Sequence, residues 1–185
     1  MNIGILALQG AFVEHERALR ALGATTFEIR QKRDLVQKMD GLILPGGEST
    51  VMRKLLHEQD MFSVLHDAIS SGLPVFGTCA GLLLLAEHIE GGTPCFGTMH
   101  LRAMRNAYGR QLGSFHTKAD FASLGDVPMT FIRAPYIAAV SEGVQILATT
   151  GGHIVAAREG NQLVSAFHPE LDNDPTIHQY FLDMI

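Results

Sequence analysis

The sequence predicts an α/β fold of three layers, in which helices cover both faces of a mostly parallel central sheet. Two observations carry this prediction. The first half of the chain alternates short apolar runs with amphipathic segments at close spacing, which is typical of parallel strands joined by helices. After about residue 91 the pattern changes to short β-like runs between turn signals, which predicts extra antiparallel strands in the same sheet.

Four strands and four helices are predicted in the first half. The predicted strands are short apolar runs bounded by turn residues, as expected for strands that are buried on both faces. The predicted helices mostly place apolar residues three or four positions apart, with charged residues between them. The strands are residues 2–8, 26–30, 41–44 and 75–77, and the helices are residues 13–22, 50–58, 62–70 and 81–88.

Four more strands and a closing helix are predicted in the second half. The strands are residues 129–132, 144–149, 154–157 and 163–167, and the helix is residues 175–184. No linker-like stretch separates the two halves, and the length suits one domain. We therefore expect residues 1–185 to form a single domain.

The composition argues against several classes of protein. A formal net charge of −5 disfavours a nucleic-acid or membrane partner, because both call for a basic face. Two cysteines are too few for a disulfide framework, which favours a reducing, cytoplasmic location. The apolar N-terminus has no basic residues before it and is interpreted as a buried strand. The longest uncharged stretch, residues 72–86, is interrupted by Gly, Pro and Thr and is too short to span a membrane.

Cys79 lies in an unusual position, in the sequence Gly77-Thr78-Cys79-Ala80-Gly81 directly after a predicted strand. This G-x-C-x-G pattern is the thiol counterpart of the nucleophile elbow, a strained turn whose flanking residues must be small. The elbow would place the thiol at a helix N-terminus, which favours the thiolate, and aim the N–H of Ala80 at a developing oxyanion. The alternative is a buried structural cysteine. Cys95, in a turn-rich stretch, is interpreted as structural.

A cysteine nucleophile needs a base, and His168 is the strongest candidate among nine histidines. His168 follows the predicted strand 163–167 and opens His168-Pro169-Glu170; Pro169 restricts it to extended geometry, in which Glu170 would face the same way. A carboxylate at that position would select the tautomer of the imidazole. Taken alone, the tripeptide also fits a simple turn. The other histidines give weaker signals: His15, His57, His66 and His88 are expected on solvated helix faces, and His100, His116, His153 and His178 lack a constraining context.

A second glycine loop follows the predicted strand 41–44, in Pro45-Gly46-Gly47. It lacks the lysine of a phosphate-binding P-loop and the spacing of a dinucleotide fold. The loop could let backbone N–H groups approach a ligand beside Cys79 and supply a second oxyanion donor. It could also be an ordinary turn. No metal-ligand spacing such as C-x-x-C or H-E-x-x-H occurs, so no metal is expected.

Five motifs together resemble the class I glutamine amidotransferases, and more narrowly the glutaminase subunits of pyridoxal 5′-phosphate synthase. The resemblance runs from the opening strand to the last helix. The motifs are PGGEST (45–50), GTCAGL (77–82), RNAYGRQ (105–111), FIRAP (131–135) and SAFHPEL (165–171). It implies a flavodoxin-like amidotransferase fold, a glutaminase activity in vitamin B6 biosynthesis, and no cofactor.

The resemblance also implies roles for individual residues. Cys79 would attack the side-chain amide of L-glutamine and form a γ-glutamyl thioester, His168 would shuttle the proton, and Glu170 would orient His168. The released ammonia would pass to a synthase (lyase) partner subunit, with LQGA (8–11) as part of the docking surface. Substrate contacts are expected at Gly46, Gly47, Glu48, Arg105, Ile132 and Arg133, and oxyanion donors at Gly47 and Ala80.

The sequence departs from the family pattern at two positions near these motifs and at the C-terminus. Tyr136 stands where the family has His after FIRAP, Met104 stands where an acid precedes Arg105, and no basic tail follows the last helix. Two other functions remain open from the residues: a free-standing cysteine hydrolase that accepts bulkier amides, and a non-catalytic subunit that stabilises the synthase. For either arginine, a surface ion pair is the alternative to substrate binding.

Overall fold

The computed structural model describes residues 1–105 and 114–185. In these residues the helices are α1 (Phe12–Ala21), α2 (Ser49–Glu58), α3 (Phe62–Ser70), α4 (Ala80–Leu85) and α5 (Thr176–Leu182). The first six strands are β1 (Asn2–Leu6), β2 (Thr25–Ile29), β3 (Gly41–Leu44), β4 (Val75–Thr78), β5 (Ala86–Glu90) and β6 (Met99–Met104). The others are β7 (Ser114–Asp120), β8 (Asp126–Ile132), β9 (Tyr136–Val140), β10 (Gln145–Thr150), β11 (His153–Glu159) and β12 (Gln162–Ser165). Short 3-10 turns form at Lys32–Val36 and Pro169–Leu171.

The parallel half of the sheet has the strand order β2-β1-β3-β4-β12, and every neighbouring pair in it is parallel. All residues of β3 and β4 are buried, which fits sequences that are apolar apart from Thr78. The mostly parallel central sheet predicted from the sequence is therefore confirmed.

Helices cover both faces of this sheet, and β4 shows how. The ring of Phe76 packs against Phe181 of α5, with centroids 5.8 Å apart, and edge-on against His15 of α1. The next residue, Gly77, points to the opposite face, where a Cβ would meet Gly81 of α4 at 2.6 Å. Successive residues of a strand face opposite sides, so α1 and α5 form one outer layer and α4 belongs to the other.

The remaining strands extend the sheet beyond β12 in the order β11-β9-β6-β5, with β10 paired to β11. The pairs β12–β11, β11–β9 and β9–β6 are antiparallel, as predicted for the second half. Residues 129–132, however, lie in β8, which within the described residues pairs with β7 alone, in a separate two-stranded sheet. Placing that strand in the main sheet was wrong, because apolar patterning marks a strand without specifying its neighbour.

The predicted helix 81–88 is also wrong at its end. Helix α4 stops at Leu85, and residues from Ala86 onward form β5, which pairs in parallel with β6. Pairing with a distant segment overrides local helix preference here. Strands β6, β7 and β9 were not predicted from the sequence. In β6, buried and exposed residues alternate with the two-residue period of a half-buried strand. In the described part of the chain, no helix is long and apolar enough to cross a membrane.

Candidate active site

Cys79 and the segment beginning at His168 meet because they follow neighbouring parallel strands. Thr78 at the end of β4 is in register with Ser165 at the end of β12. The N–H of Cys79 donates to the carbonyl of Ser165 over 2.8 Å, and His168 follows three residues later. Carboxyl ends of parallel strands lie at one edge of a sheet, which is where sites of open α/β folds form. The sheet thus joins two motifs that are about ninety residues apart in sequence.

The turn at Cys79 has the strained geometry that its sequence predicts. Cys79 adopts φ 48° and ψ −95°, a conformation that non-glycine residues rarely take. Gly77 and Gly81 approach each other so closely that a Cβ on Gly77 would lie 2.6 Å from the carbonyl carbon of Gly81. A Cβ on Gly81 would overlap the carbonyl oxygen of Leu44. The expectation that only small residues fit around the turn is confirmed.

His168 is held between Cys79 and Glu170. Its Nδ1 lies 2.7 Å from Glu170 Oε1, and both side chains are almost fully buried. Pro169–Leu171 form a 3-10 turn, so the extended geometry predicted for this tripeptide is wrong beyond His168, although the two side chains still meet. Burial by itself lowers the pKa of His168, but hydrogen bonds with Cys79 and Glu170 outweigh it and raise the pKa to about 10.

The raised pKa of His168 predicts that the protein loses stability in alkali. The pKa of the His168 imidazole is higher in the folded protein than in the unfolded chain, where it is about 6.5. The stabilisation is therefore complete below pH 6.5 and is lost as the pH rises toward 10. Urea unfolding across this range should show a falling free energy of unfolding, with a shallower fall in His168→Gln. Equal slopes in the two proteins would contradict the assignment of a raised pKa to His168.

The glycine loop 45–47 lies directly against His168. A Cβ on Gly46 would overlap the imidazole ring, so only glycine fits at this position. The carbonyl of Gly46 accepts a hydrogen bond from the N–H of Ala11, and the side chain of Gln9 accepts one from the N–H of Glu48 over 2.7 Å. The segment LQGA (8–11) therefore braces this loop from the other side.

These elements surround a cavity of about 420 Å³, within the usual size range of small-molecule sites. Eight of the predicted site residues line it: Gly47, Glu48, Cys79, Ala80, Arg105, Ile132, Arg133 and His168. The other two, Gly46 and Glu170, lie behind His168. Residues 106–113, which carry most of the RNAYGRQ motif, are outside the described residues.

An ion pair between Arg105 and Glu48 forms one wall of the cavity. The Arg105 guanidinium lies 3.1 Å from Glu48 Oε1 and also donates to the hydroxyls of Ser49 and Thr50. Glu48 in turn caps helix α2 by accepting from the N–H of Val51. Burial opposes ionisation of Glu48, but the capping N–H groups and Arg105 hold its pKa below the usual value.

Arg133 has a strained backbone at the rim of the cavity. Its φ is 42°, so the chain turns sharply just after β8 and presents Ile132 and Arg133 to the cavity. Strain of this kind in a non-glycine residue is concentrated at functional sites. The cavity is also lined by residues that were not predicted as site residues: Gln9, Ser49, Leu83 and Pro135.

His15 is the most important residue that the sequence reading placed wrongly. It was expected on a solvated helix face, but it is fully buried behind Glu170, with its Nε2 3.4 Å from Glu170 Oε2. A signal was present: His15 lies four residues before Leu19, on the buried face of α1. His88 was also expected on a helix face, but it lies in β5.

Cys95 lies in a setting that disfavours reactivity. Both thiols are free, but Cys95 lies outside the cavity in a loop, and burial raises its pKa to about 12. Among residues 1–105 and 114–185, no cluster of three or more His, Cys, Asp or Glu side chains could hold a metal ion.

Comparison with known proteins places this site in a family. The model of the SNO glutamine amidotransferase family matches residues 5–185, which is nearly the whole chain. The chain belongs to the SNO glutamine amidotransferase family. Relatives named pyridoxal 5′-phosphate synthase subunit PdxT include one from Methanocorpusculum labreanum, 61% identical over 185 residues, covering 100% of this chain and 98% of that protein. Another, from Streptococcus pneumoniae, is 57% identical over 188 residues and covers 100% and 97%.

Solved structures agree with this assignment to the SNO family. A crystal structure described as a glutamine amidotransferase superposes with a TM-score of 0.93 at 42% identity, covering 98% of this chain and 97% of the other. A glutamine amidotransferase from Thermotoga maritima gives a TM-score of 0.63 at 13% identity, covering 100% and 84%. The second comparison supports the fold alone.

The two departures from the family pattern inside the chain are neighbours in space. Met104 at the end of β6 and Tyr136 at the start of β9 are in register with each other. The two positions at which the sequence departs from the expected family pattern thus carry an aromatic ring and a thioether side by side. Tyr136 also stacks on His153, with ring centroids 4.1 Å apart.

Proposed function

We propose that this chain, acting as one glutaminase domain over residues 1–185, hydrolyses L-glutamine to L-glutamate and ammonia. The ammonia passes to the synthase subunit of a pyridoxal 5′-phosphate synthase. Membership of the SNO family and the names of the full-length relatives support this proposal. The observation that carries it is the cavity in which Cys79 and His168 meet, with Glu170 Oε1 2.7 Å from the imidazole.

The proposed reaction needs only the groups at this cavity. The Cys79 sulfur attacks the side-chain amide carbon of glutamine, and the imidazolium of His168 gives its proton to the departing nitrogen, which leaves as ammonia. A γ-glutamyl thioester remains. Neutral His168 then takes a proton from a water molecule, whose oxygen attacks the thioester carbon. Glutamate leaves, and the thiolate and imidazolium are restored. Glu170 orients His168 and stabilises its charged form.

Two backbone groups are proposed to stabilise the negative oxygen of each tetrahedral intermediate. Ala80 is the first residue of α4, where N–H groups have no acceptor within the helix. Gly47 lies across the cavity from it, in the loop braced by Gln9. Hydrogen bonds to a charge that develops only in the transition state accelerate the chemical step directly.

The Glu48–Arg105 pair suits the α-carbon end of free glutamine. A guanidinium binds a carboxylate through paired N–H groups, and a carboxylate attracts an ammonium group. We propose that Arg105 binds the α-carboxylate and Glu48 the α-ammonium, while Gly46, Ile132 and Arg133 shape the remaining walls. The alternative is a partly exposed ion pair without a ligand, which contributes little.

Arg105→Ala is expected to raise KM for glutamine by roughly 10- to 100-fold, with a smaller change in kcat, since one hydrogen-bonded charge pair to the substrate is lost. Steady-state kinetics measure both constants. Arg102→Ala is the matched control, because Arg102 lies on β6 three residues before Arg105 and is exposed outside this cavity. Equal KM values for the two variants would support the ion-pair alternative.

The function is tested by measuring ammonia release from glutamine by the full chain with and without the synthase subunit. We expect release to rise when the synthase is added, and the synthase to bind through the face that carries residues 8–11. Full activity without the synthase, with a preference for bulkier γ-glutamyl amides, would favour a free-standing hydrolase. Binding without any hydrolysis would indicate a non-catalytic subunit.

The two free cysteines support a reducing, cytoplasmic setting.

A further inference from the structure

Two more histidines are buried directly behind the Cys79–His168–Glu170 set. His15 of α1 and His178 of α5 are both 0% exposed. His15 Nδ1 lies 3.0 Å from His178 Nε2, and His15 Nε2 lies 3.1 Å from the Thr78 hydroxyl and 3.4 Å from Glu170 Oε2. The proposed reaction uses neither side chain. Burial of polar groups is costly unless they have partners, so a row of buried polar side chains ending at Glu170 requires an explanation.

Both imidazoles are neutral at neutral pH. Burial lowers the pKa of His15, and the charges facing it act in both directions: Glu170 and Glu14 raise the pKa, and His168 lowers it. Burial, together with His15, lowers the pKa of His178 to about 3 against an opposing effect of Glu170. Each neutral ring carries one N–H, and the position of that proton decides which contacts are favourable.

The carboxylate of Glu170 decides the tautomers. An ionised carboxylate only accepts, so the proton of His15 belongs on Nε2, facing Oε2. The Thr78 hydroxyl can donate or accept a hydrogen bond, so it is compatible with either tautomer of His15. His15 Nδ1 is then an acceptor, and His178 must donate to it from Nε2. This leaves His178 Nδ1 without a proton, which agrees with its having no hydrogen-bond partner among the described residues.

The second carboxylate oxygen of Glu170, Oε2, has the N–H of His15 as its polar neighbour. Oε1 is engaged by His168, whereas Oε2 is buried and makes no full hydrogen bond in the described part of the chain. Burial opposes ionisation of Glu170, and His15 and His168 together hold its pKa below the usual value. Without an N–H near Oε2, the carboxylate would be a weaker partner for the imidazolium of His168.

We propose that His15 and His178 are positioning residues, which extend the Cys79–His168–Glu170 set inward as a row of buried polar side chains in contact, with a fixed proton order. His178 sets the tautomer of His15, and His15 keeps Glu170 ionised and oriented toward His168. The inference rests on the proposed function only for its effect on glutamine hydrolysis. The arrangement of the side chains does not depend on which substrate the protein uses.

The test follows alkylation of Cys79 by iodoacetamide as a function of pH, using the full chain in a Cys95→Ala background. The thiolate displaces iodide, and the reaction requires neither glutamine nor the synthase subunit. In His15→Asn, the shorter side chain does not reach Oε2, so the thiolate–imidazolium pair is less stable. We expect the midpoint of alkylation to move up by about 1 pH unit, with a rate about 10-fold lower below it.

A conservative variant separates positioning from simple packing. In His15→Gln, the amide nitrogen falls near the former Nε2 and can donate to Glu170, so the midpoint should return toward that of the parent. His66→Asn, at a partly exposed position of α3 outside the cavity, is the matched control and should leave the midpoint in place. A merely structural role for His15 would lower stability in both His15 variants without moving the midpoint.

A second pair of variants covers the case in which His15→Asn does not fold. Leucine at position 178 would pack beside the rings of Phe76 and Phe181, and His178→Leu removes only the donor to His15. We expect a smaller upward shift in His178→Leu than in His15→Asn, and a smaller one still in His178→Gln. An unchanged midpoint in the folded variants overturns the proposal. A shifted midpoint without ammonia release from glutamine would instead refute the proposed function and leave this inference standing.

Discussion

Cys79→Ala is expected to lower the rate of ammonia release from glutamine by roughly 10⁴-fold or more, because removal of the nucleophile eliminates the covalent route. The fold should survive, since alanine is smaller than cysteine at a position that is 8% exposed. The measurement is ammonia production by the variant mixed with the synthase subunit, compared with the parent chain under the same conditions.

Cys95→Ala is the matched control for this experiment. Cys95 lies outside the cavity, and we expect its replacement to leave ammonia release within a few-fold of the parent rate. An electrophilic glutamine analogue should label the parent at Cys79 and leave Cys79→Ala unlabelled. Ammonia production by Cys79→Ala at the parent rate would refute the assignment of the nucleophile.

Gly81→Ala is expected to reduce the free energy of unfolding by about 3 kcal/mol, the upper range for overpacking of a well-packed interior. Alanine is preferred to glycine inside a helix by about 1 kcal/mol, so helix preference alone predicts the opposite sign. The loss comes from the added Cβ, which would overlap the backbone carbonyl of Leu44 and force β3 away from α4. Urea unfolding monitored by circular dichroism measures the change.

Gly47→Ala provides the comparison for stability. Its Cβ would first meet the side-chain oxygen of Gln9, at 3.0 Å, and a flexible side chain can move aside. We expect a loss below about 1 kcal/mol. If Gly81→Ala proved as stable as Gly47→Ala, the close approach of α4 to β3 would not be the reason for glycine at position 81.

The strained turn at Cys79 was predicted from a local sequence motif alone. A strand, two glycines and a cysteine at fixed spacing predict a strained turn, and Cys79 has that turn because only such a backbone joins β4 to α4 at this distance. The order of strands and helices from β1 to α4 was equally accessible, since β3 and most of β4 consist of buried apolar residues.

The sequence did not predict which strands pair with each other. The end of α4 at Leu85 is set by β6, which pairs with the following strand, and β8 joins a separate hairpin although its sequence resembles that of the other strands. Likewise, no spacing rule connects Met104 with Tyr136, yet the two substituted positions lie in register.

The amino-acid sequence by itself determined the α/β architecture, the family, the elbow at Cys79 and the candidate pair His168 and Glu170. Only the tertiary structure decided that Cys79 and His168 share one cavity, that Arg105 pairs with Glu48 in its wall, and that His15 and His178 lie behind Glu170. The physical reason is that hydrophobic periodicity and turn chemistry are local properties of the chain. The partner of a buried polar side chain is chosen by strand register and helix packing, which bring together residues more than a hundred positions apart.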